Sequence, residues 1–379
     1  MPVSPAMAED LAHEVRRLYE DAEDALLERL TKALEADLES PRWAELKLAS
    51  IGDLRTAVER ITDALQQDTD GKVREALITA YNRGRQAAVA ELGALDIGRE
   101  LVARRALPQA PAVDRLAASL AQDTRPLYVR ITRVVVDAFR SVVGRVSGGV
   151  LLGAMTRRQA SQRALDQVAA RGITGFVDRA GRSWDMASYA EMAVRSVTAR
   201  AAIEGHTDAL TEIGVGLVIV SDAPLECPLC AVWEGEVLSL SGEAGPHTVV
   251  AEHAVQPRGL FAPRRSVVVH VAGSLVEARA QGLFHPNCRH SLAAYIPGVT
   301  KRPPHHATPG TTYEDTQRQR EIERHIRRWK RAQAVAMDDA ARRRAGAFIR
   351  KWQAAQREHV AAHDDLRRKP AREQINAAR

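Results

Sequence analysis

The chain has 379 residues, 45% hydrophobic and 27% charged, so it is long enough for two or three domains and apolar enough to fold. The first fifteen residues carry acidic side chains and no apolar segment, which argues against a secretory signal, and the longest apolar runs, such as Val215–Val220, cannot span a bilayer. The expectation is a soluble protein made in a cytoplasm, with a net charge of +6 and no membrane partner.

Alanine, arginine and leucine dominate and aromatics are scarce, which favours helices. Leu11, Val15, Leu18, Ala22 and Ala25 recur at steps of three and four, the period of one buried helix face. Leu54, Val58, Ile61 and Leu65 repeat the pattern, as do Leu127, Ile131, Val134, Ala138 and Val142. Thr156-Arg157-Arg158-Gln159 reads as a capping box opening a further helix, with Gly172 suited to its C-terminal end.

At residue 173 the texture changes. Ile173–Val177 and Arg182–Trp184 flank the turn-rich Asp178-Arg179-Ala180-Gly181, the pattern of a β-hairpin. A long helix is expected from about Met186 to Ile213, then a buried strand at Val215–Val220. Residues 241–265 read as a loop from their Gly, Pro and charged residues, with another strand at Ser266–Val271. Residues 299–312 read as a linker. Beyond it, Ile322, Ile326, Trp329 and Ala336, then Ala345, Phe348, Ile349, Trp352 and Ala355, mark two amphipathic segments. Residues 301–379 hold 20 Lys or Arg against 10 Asp or Glu, a net of +10, while the other 300 residues hold 34 against 38, a net of −4. Such a basic segment suits an acidic partner such as DNA, and Arg320, Arg324, Arg327, Arg328 and Arg331 are the candidate phosphate contacts. Two other readings stay open: a solvated coiled coil, and pairing with acidic residues of a protein partner.

All three cysteines fall in one region. Cys227-Pro228-Leu229-Cys230 has the Cys-x2-Cys spacing that aims two thiolates at one tetrahedral ion, and Cys288 would supply a third. His290, with His285 as alternate, would supply the fourth ligand of a structural zinc. The competing reading is three unligated cysteines at a packed junction. Enzymatic readings fit less well. A zinc deaminase needs His-x-Glu and a proline before the first cysteine, where Glu226 stands. A redox Cys-x2-Cys needs a following helix, against which Trp233, Gly235 and Val237-Leu238 argue. A cysteine hydrolase using Cys288 rests only on a thiol near a histidine. A treble-clef-type, metal-dependent nuclease is the alternative function; it would need an acidic or histidine pair aimed at a second metal, and His247, His253 and His270 are available but sit in a loop-like stretch without ligand spacing.

Tyr189–Ser196, Val218–Ser221, Trp233–Val237, Gly282–His290 and Tyr295–Gly298, in this order, resemble the phage minor capsid protein family related to Mu F-like head morphogenesis proteins. The resemblance covers about residues 173–298. It implies a low-copy, oligomeric virion protein near the portal vertex, assembled in the host cytoplasm. Portal, capsid or scaffold proteins are the implied partners, together with packaged DNA, and no catalytic residues are implied. Many Mu F-like relatives close the last motif with Cys-Arg-Cys; here it is Cys288-Arg289-His290, which makes His290 the natural replacement ligand. The expected fold is α+β and predominantly helical. A helical domain spans residues 1–172, a small mixed α/β domain with the candidate zinc knuckle 173–298, and a basic helical tail 313–379.

Overall fold

The computed structural model describes residues 3, 9–92, 111–151, 156–171, 176–177, 183–184, 186–223, 228–255, 265–285, 288, 290–302 and 311–375. Cys227, Gly172, the expected hairpin turn and most of the linker lie outside them. The architecture is α+β and predominantly helical. The N-terminal helices are α1 (Glu9–Glu35), α2 (Trp43–Ala49), α3 (Ile51–Leu92), α4 (Pro111–Leu151) and α5 (Arg157–Arg171). A short antiparallel pair follows, β1 (Phe176–Val177) and β2 (Ser183–Trp184), then the long helix α6 (Met186–Glu212). The mixed region holds β3 (Leu217–Val220), α7 (Pro228–Ala231), β4 (Val237–Ser239), β5 (His247–Glu252), β6 (Ser266–Val271), β7 (Gly273–Ser274), α8 (Leu275–Ala280) and β8 (Leu292–Ala294). Two further helices, α9 (Tyr313–Ala334) and α10 (Asp339–Ala361), precede a 3-10 turn at Pro370–Glu373.

The chain forms two compact units. One comprises Met1–His13, Lys72–Leu120 and Met192–Pro309; the other comprises Glu14–Gly71, Ala121–Glu191 and Gly310–Arg379.

The second unit is helical apart from the β1–β2 pair. Its α1 stripe is shifted by one residue from the expected one: Val15 and Ala22 are buried as read, but Tyr19, Leu26 and Leu30 complete the core face. The shift admits Tyr19, whose hydroxyl meets that of Tyr128 on α4 at 2.7 Å, so a buried polar tip has a partner. The expected capping box forms at α5: Gln159 N donates to Thr156 Oγ1 at 3.2 Å and Thr156 N to Gln159 Oε1 at 3.1 Å. The basic tail is part of this unit. Its helices α9 and α10 form an antiparallel hairpin, with Trp329 stacked on Phe348 and His325 on Trp352, each pair at 4.0 Å between ring centroids. The stripe of Ile322, Ile326 and Trp329 therefore finds its partner within the chain. Gln162 of α5 secures the turn after α9, donating to Val335 O at 3.3 Å and accepting from Met337 N.

The first unit sets a sheet on two helices. Its strand order is β7-β4-β3-β8, with β4–β7 parallel and the other pairs antiparallel. Val3 pairs with Leu292 along β8 and covers that edge. Residues 241–265, expected to be a loop, contain β5; the expectation was wrong there. His247–Glu252 alternates half-buried and exposed residues and pairs in full register with Ser266–Val271. The Gly, Pro and charge content of the surrounding stretch masked this alternation. The inward residues Val249, Val267, Val269 and Val271 pack on Ile219, Val237 and Tyr295.

Helices α3 and α6 cross at backbone distance. A Cβ on Gly84 would lie 1.9 Å from Ala202 O, and one on Gly205 would lie 2.1 Å from Tyr81 O. No side chain fits at either position. Around the crossing, Arg85 grips Glu212 through two hydrogen bonds at 2.8 and 2.9 Å, and Tyr81 Oη donates to Asp208 at 2.8 Å. Gly84→Ala or Gly205→Ala should therefore destabilise the protein by about 1–3 kcal/mol or more in denaturant titration. Gly144→Ala, where nothing lies within 4 Å, should be neutral or gain roughly 0.5–1 kcal/mol. Equal effects at all three positions would contradict the close crossing.

Candidate metal centre

Antiparallel pairing brings the two halves of the Cys/His cluster together. Strand β3 ends at Val220, opposite Leu292 at the start of β8. The segment leaving β3 and the segment entering β8 therefore emerge at the same end of the sheet, and Ser221 N donates to Ser291 O at 2.9 Å just beyond it. The first segment forms the single turn α7 carrying Cys230, then folds back as Trp233 N donates to Cys230 O and Gly235 N to Val220 O. The second segment carries Cys288 and His290.

Cys230 Sγ lies 3.6 Å from Cys288 Sγ, and Cys288 Sγ lies 3.3 Å from His290 Nδ1. All three ligand atoms fall within 4.8 Å of one another. A tetrahedral zinc about 2.3 Å from sulfur and about 2.0 Å from nitrogen would hold sulfurs about 3.8 Å apart and a sulfur–nitrogen pair about 3.5 Å apart. The observed spacings fit such an ion. His285, the alternate ligand, is not in the convergent group, and Cys227 lies outside the described residues.

One residue escaped the sequence reading. Glu234 Oε1 sits 2.5 Å from His290 Nε2, with both side chains buried. The same oxygen accepts from Ala223 N at 3.3 Å. Glu234 fixes the ring so that Nε2–H donates to the carboxylate and Nδ1 faces the sulfurs, the arrangement in which a second-layer acid orients a ligating histidine. The available signal was an acid four residues after Cys230, on the same turn as the knuckle.

The electrostatics follow from these contacts. The Cys288 thiol is pulled down to about 4, first by the hydrogen bond from Cys230, then by those from the His290 ring and backbone, which together outweigh burial. Burial works to lower the His290 value, but its bonds to Cys288 and Glu234 prevail and raise it. With no cation present, these bonds favour the thiolate form of Cys288 and a proton on the His290 ring.

The expected arginine row is not a single exposed face. Arg324 and Arg328 are exposed, and Arg328 lies over the Trp329 ring at 5.7 Å. Arg320 is half-buried. Arg327 and Arg331 are buried: Arg327 donates to Arg372 O at 2.5 Å and to Ser188 Oγ at 3.2 Å, while Arg331 lies 3.7 Å from Glu23. These two belong to the interior of their unit and cannot reach phosphates, so the reading of five DNA contacts on α9 is corrected. The physical reason is packing: residues 327 and 331 lie about 100–140° round α9 from Ile326, but α1, α6 and the C-terminal turn cover that side, through Glu23, Ser188 and Arg372.

The family profile of phage minor capsid protein 2 matches residues 3–361. The chain belongs to the phage minor capsid protein family. No curated protein and no solved structure matches it beyond chance. The match to this capsid family extends well past residues 173–298, taking in the N-terminal helices and both helices of the basic tail. No helix among the described residues is long and apolar enough to cross a membrane.

In the metal-free minor capsid protein, alkylation of Cys288 should change by less than about twofold between pH 8 and pH 6, whereas an ordinary thiol would slow by roughly 80-fold. Mass spectrometry of the Cys288 peptide reads this rate. An ordinary fall with acidification would contradict the hydrogen-bonded thiolate.

Proposed function

We propose that the chain is a low-copy structural protein of a tailed-phage head, acting in head morphogenesis near the portal. Portal, capsid or scaffold proteins are its partners, and it resides in the virion after assembly in the host cytoplasm. The observation that carries this reading is the family match across residues 3–361. In this reading residues 173–298 are the segment shared with Mu F-like proteins. The helical stretch 1–172 precedes it, and the basic stretch 313–379 follows the connection at 299–312.

The Cys/His cluster serves this role as a structural zinc clip. Cys230, Cys288 and His290 Nδ1 are three ligands, and Cys227, three residues before Cys230 in the sequence, is the fourth. The zinc supplies a cross-link between the end of β3 and the start of β8, closing a connection of almost sixty residues. Glu234 positions the histidine and does not ligate. The nuclease reading gains no specific support: His247 bonds to Gly245 O at 2.9 Å through Nδ1 and lies 3.6 Å from Glu243 through Nε2, both local contacts.

Mass spectrometry of purified particles should find the protein at a small fraction of the major capsid protein; its absence from particles would overturn the structural reading. Glu234→Gln should weaken zinc roughly 10- to 100-fold in competition with a chromophoric chelator, and Cys288→Ser should weaken it further. Unchanged affinity in Glu234→Gln would remove Glu234 from the site.

A further inference from the structure

The exposed face of α10 is strongly basic. Arg343, Arg344, Arg350, Lys351 and Arg357 are all exposed, and none has a hydrogen bond or ion pair among the described residues. Neighbouring arginines differ: Arg342 pairs with Asp339 and Arg318 with Glu321. The five cations are ordered. Residues seven apart on a helix are separated by about 10.5 Å and drift by only ~20° around the axis. Arg343, Arg350 and Arg357 therefore form one row, and Arg344 and Lys351 a second, about 100° around the helix. Between the rows runs a third series of the same spacing, Ala340, Ala347 and Ala354, all exposed. Two acids stand on this face, Asp339 at its N-terminal end, paired with Arg342, and Glu358 at its C-terminal end. The opposite side, with Ala345, Ile349 and Gln356, is buried against the rest of the unit.

We infer that the outer face of α10 docks duplex DNA, with the helix seated along a groove. The argument is charge and shape together. A low alanine ridge lets the helix backbone approach closely, and the two cationic rows flank it on either side. A groove about 12 Å wide admits a helix and has phosphates along both walls. Paired rows with the helix axis between them match two phosphate walls; a flat acidic protein surface would need only one. Alanines offer base edges no donor or acceptor, so the contact reads backbone rather than sequence. The inference rests on the reading of the chain as a component of a DNA-filled head, and it replaces Arg327 and Arg331 by residues not previously assigned.

Full-length protein titrated with a fluorescent duplex of about thirty base pairs tests it. Five phosphate contacts correspond to a log–log salt slope near −4.5, roughly a 500-fold loss of affinity between about 50 and 200 mM salt. The triple variant R343A/R350A/R357A should flatten the slope by about 2.7, and R344A/K351A by about 1.8. R324A/R328A on α9 should leave it unchanged. A second design keeps every arginine: A347E/A354E sets carboxylates between the rows and should abolish binding while leaving the thermal midpoint unaltered. Scrambled duplexes should bind equally. Undetectable binding by the unmodified chain at low salt would overturn the inference, as would variants that retain the full slope. So would poly-glutamate competing as well as DNA at equal charge, which would mark an acidic protein surface as the partner. None of these failures would touch incorporation into particles, which mass spectrometry reads separately.

Discussion

The backbone crossing of α3 and α6 is the constraint on which the sheet-bearing unit depends. With a carbonyl filling the space of each missing side chain, the two helices cannot slide or rotate without collision. That fixed register places Glu91 of α3 beside His206 of α6, at 2.8 Å. The other Glu91 oxygen accepts from Ala294 N at 3.0 Å, which ties β8 to the helix pair. Strand β8 in turn registers β3, and the ends of these two strands carry Cys288, His290 and Cys230. A helix–helix contact thus sets the position of a thiol cluster in a different layer of the same unit.

The cluster itself shows why a buried polar group needs a complete set of partners. His290 is 2% exposed, and its two ring nitrogens are satisfied by Cys288 and Glu234. The line of Cys288 sulfur, His290 ring and Glu234 carboxylate gives each buried ring nitrogen a partner without a cation. A divalent ion at the sulfurs would displace the Nδ1 proton and keep the Glu234 contact, so the acid serves both states.

The tail shows how charge divides within one hairpin. Burying an arginine requires partners that replace water. Arg327 and Arg331 have them in Ser188, the Arg372 carbonyl and Glu23. Arg343, Arg344, Arg350, Lys351 and Arg357 of α10 have none among the described residues and stay in solvent, and the stacked pairs Trp329–Phe348 and His325–Trp352 hold their helix in a fixed rotation. Aromatic stacking inside the hairpin therefore determines which cations face outward.

Local chemistry was legible in the sequence. The period of three and four marked the helices, Thr156 and Gln159 marked a cap that forms, β-branched residues marked Ser266–Val271, and the scarcity of cysteines marked Cys230 and Cys288 as one cluster. These signals depend on neighbours within a turn or two, or on a residue type rare enough to stand out. Three things required the tertiary structure. His247–Glu252 becomes a strand only because Ser266–Val271 lies beside it. Glu234 becomes part of the site only because β3 and β8 run antiparallel and deliver His290 to it. The arginines of α9 and α10 look alike along the chain, and only the packing partner of each helix face decides which are buried and which remain charged in water. Sequence spacing fixes where a side chain points around its own helix; what lies on that side is set by chain segments far away in sequence.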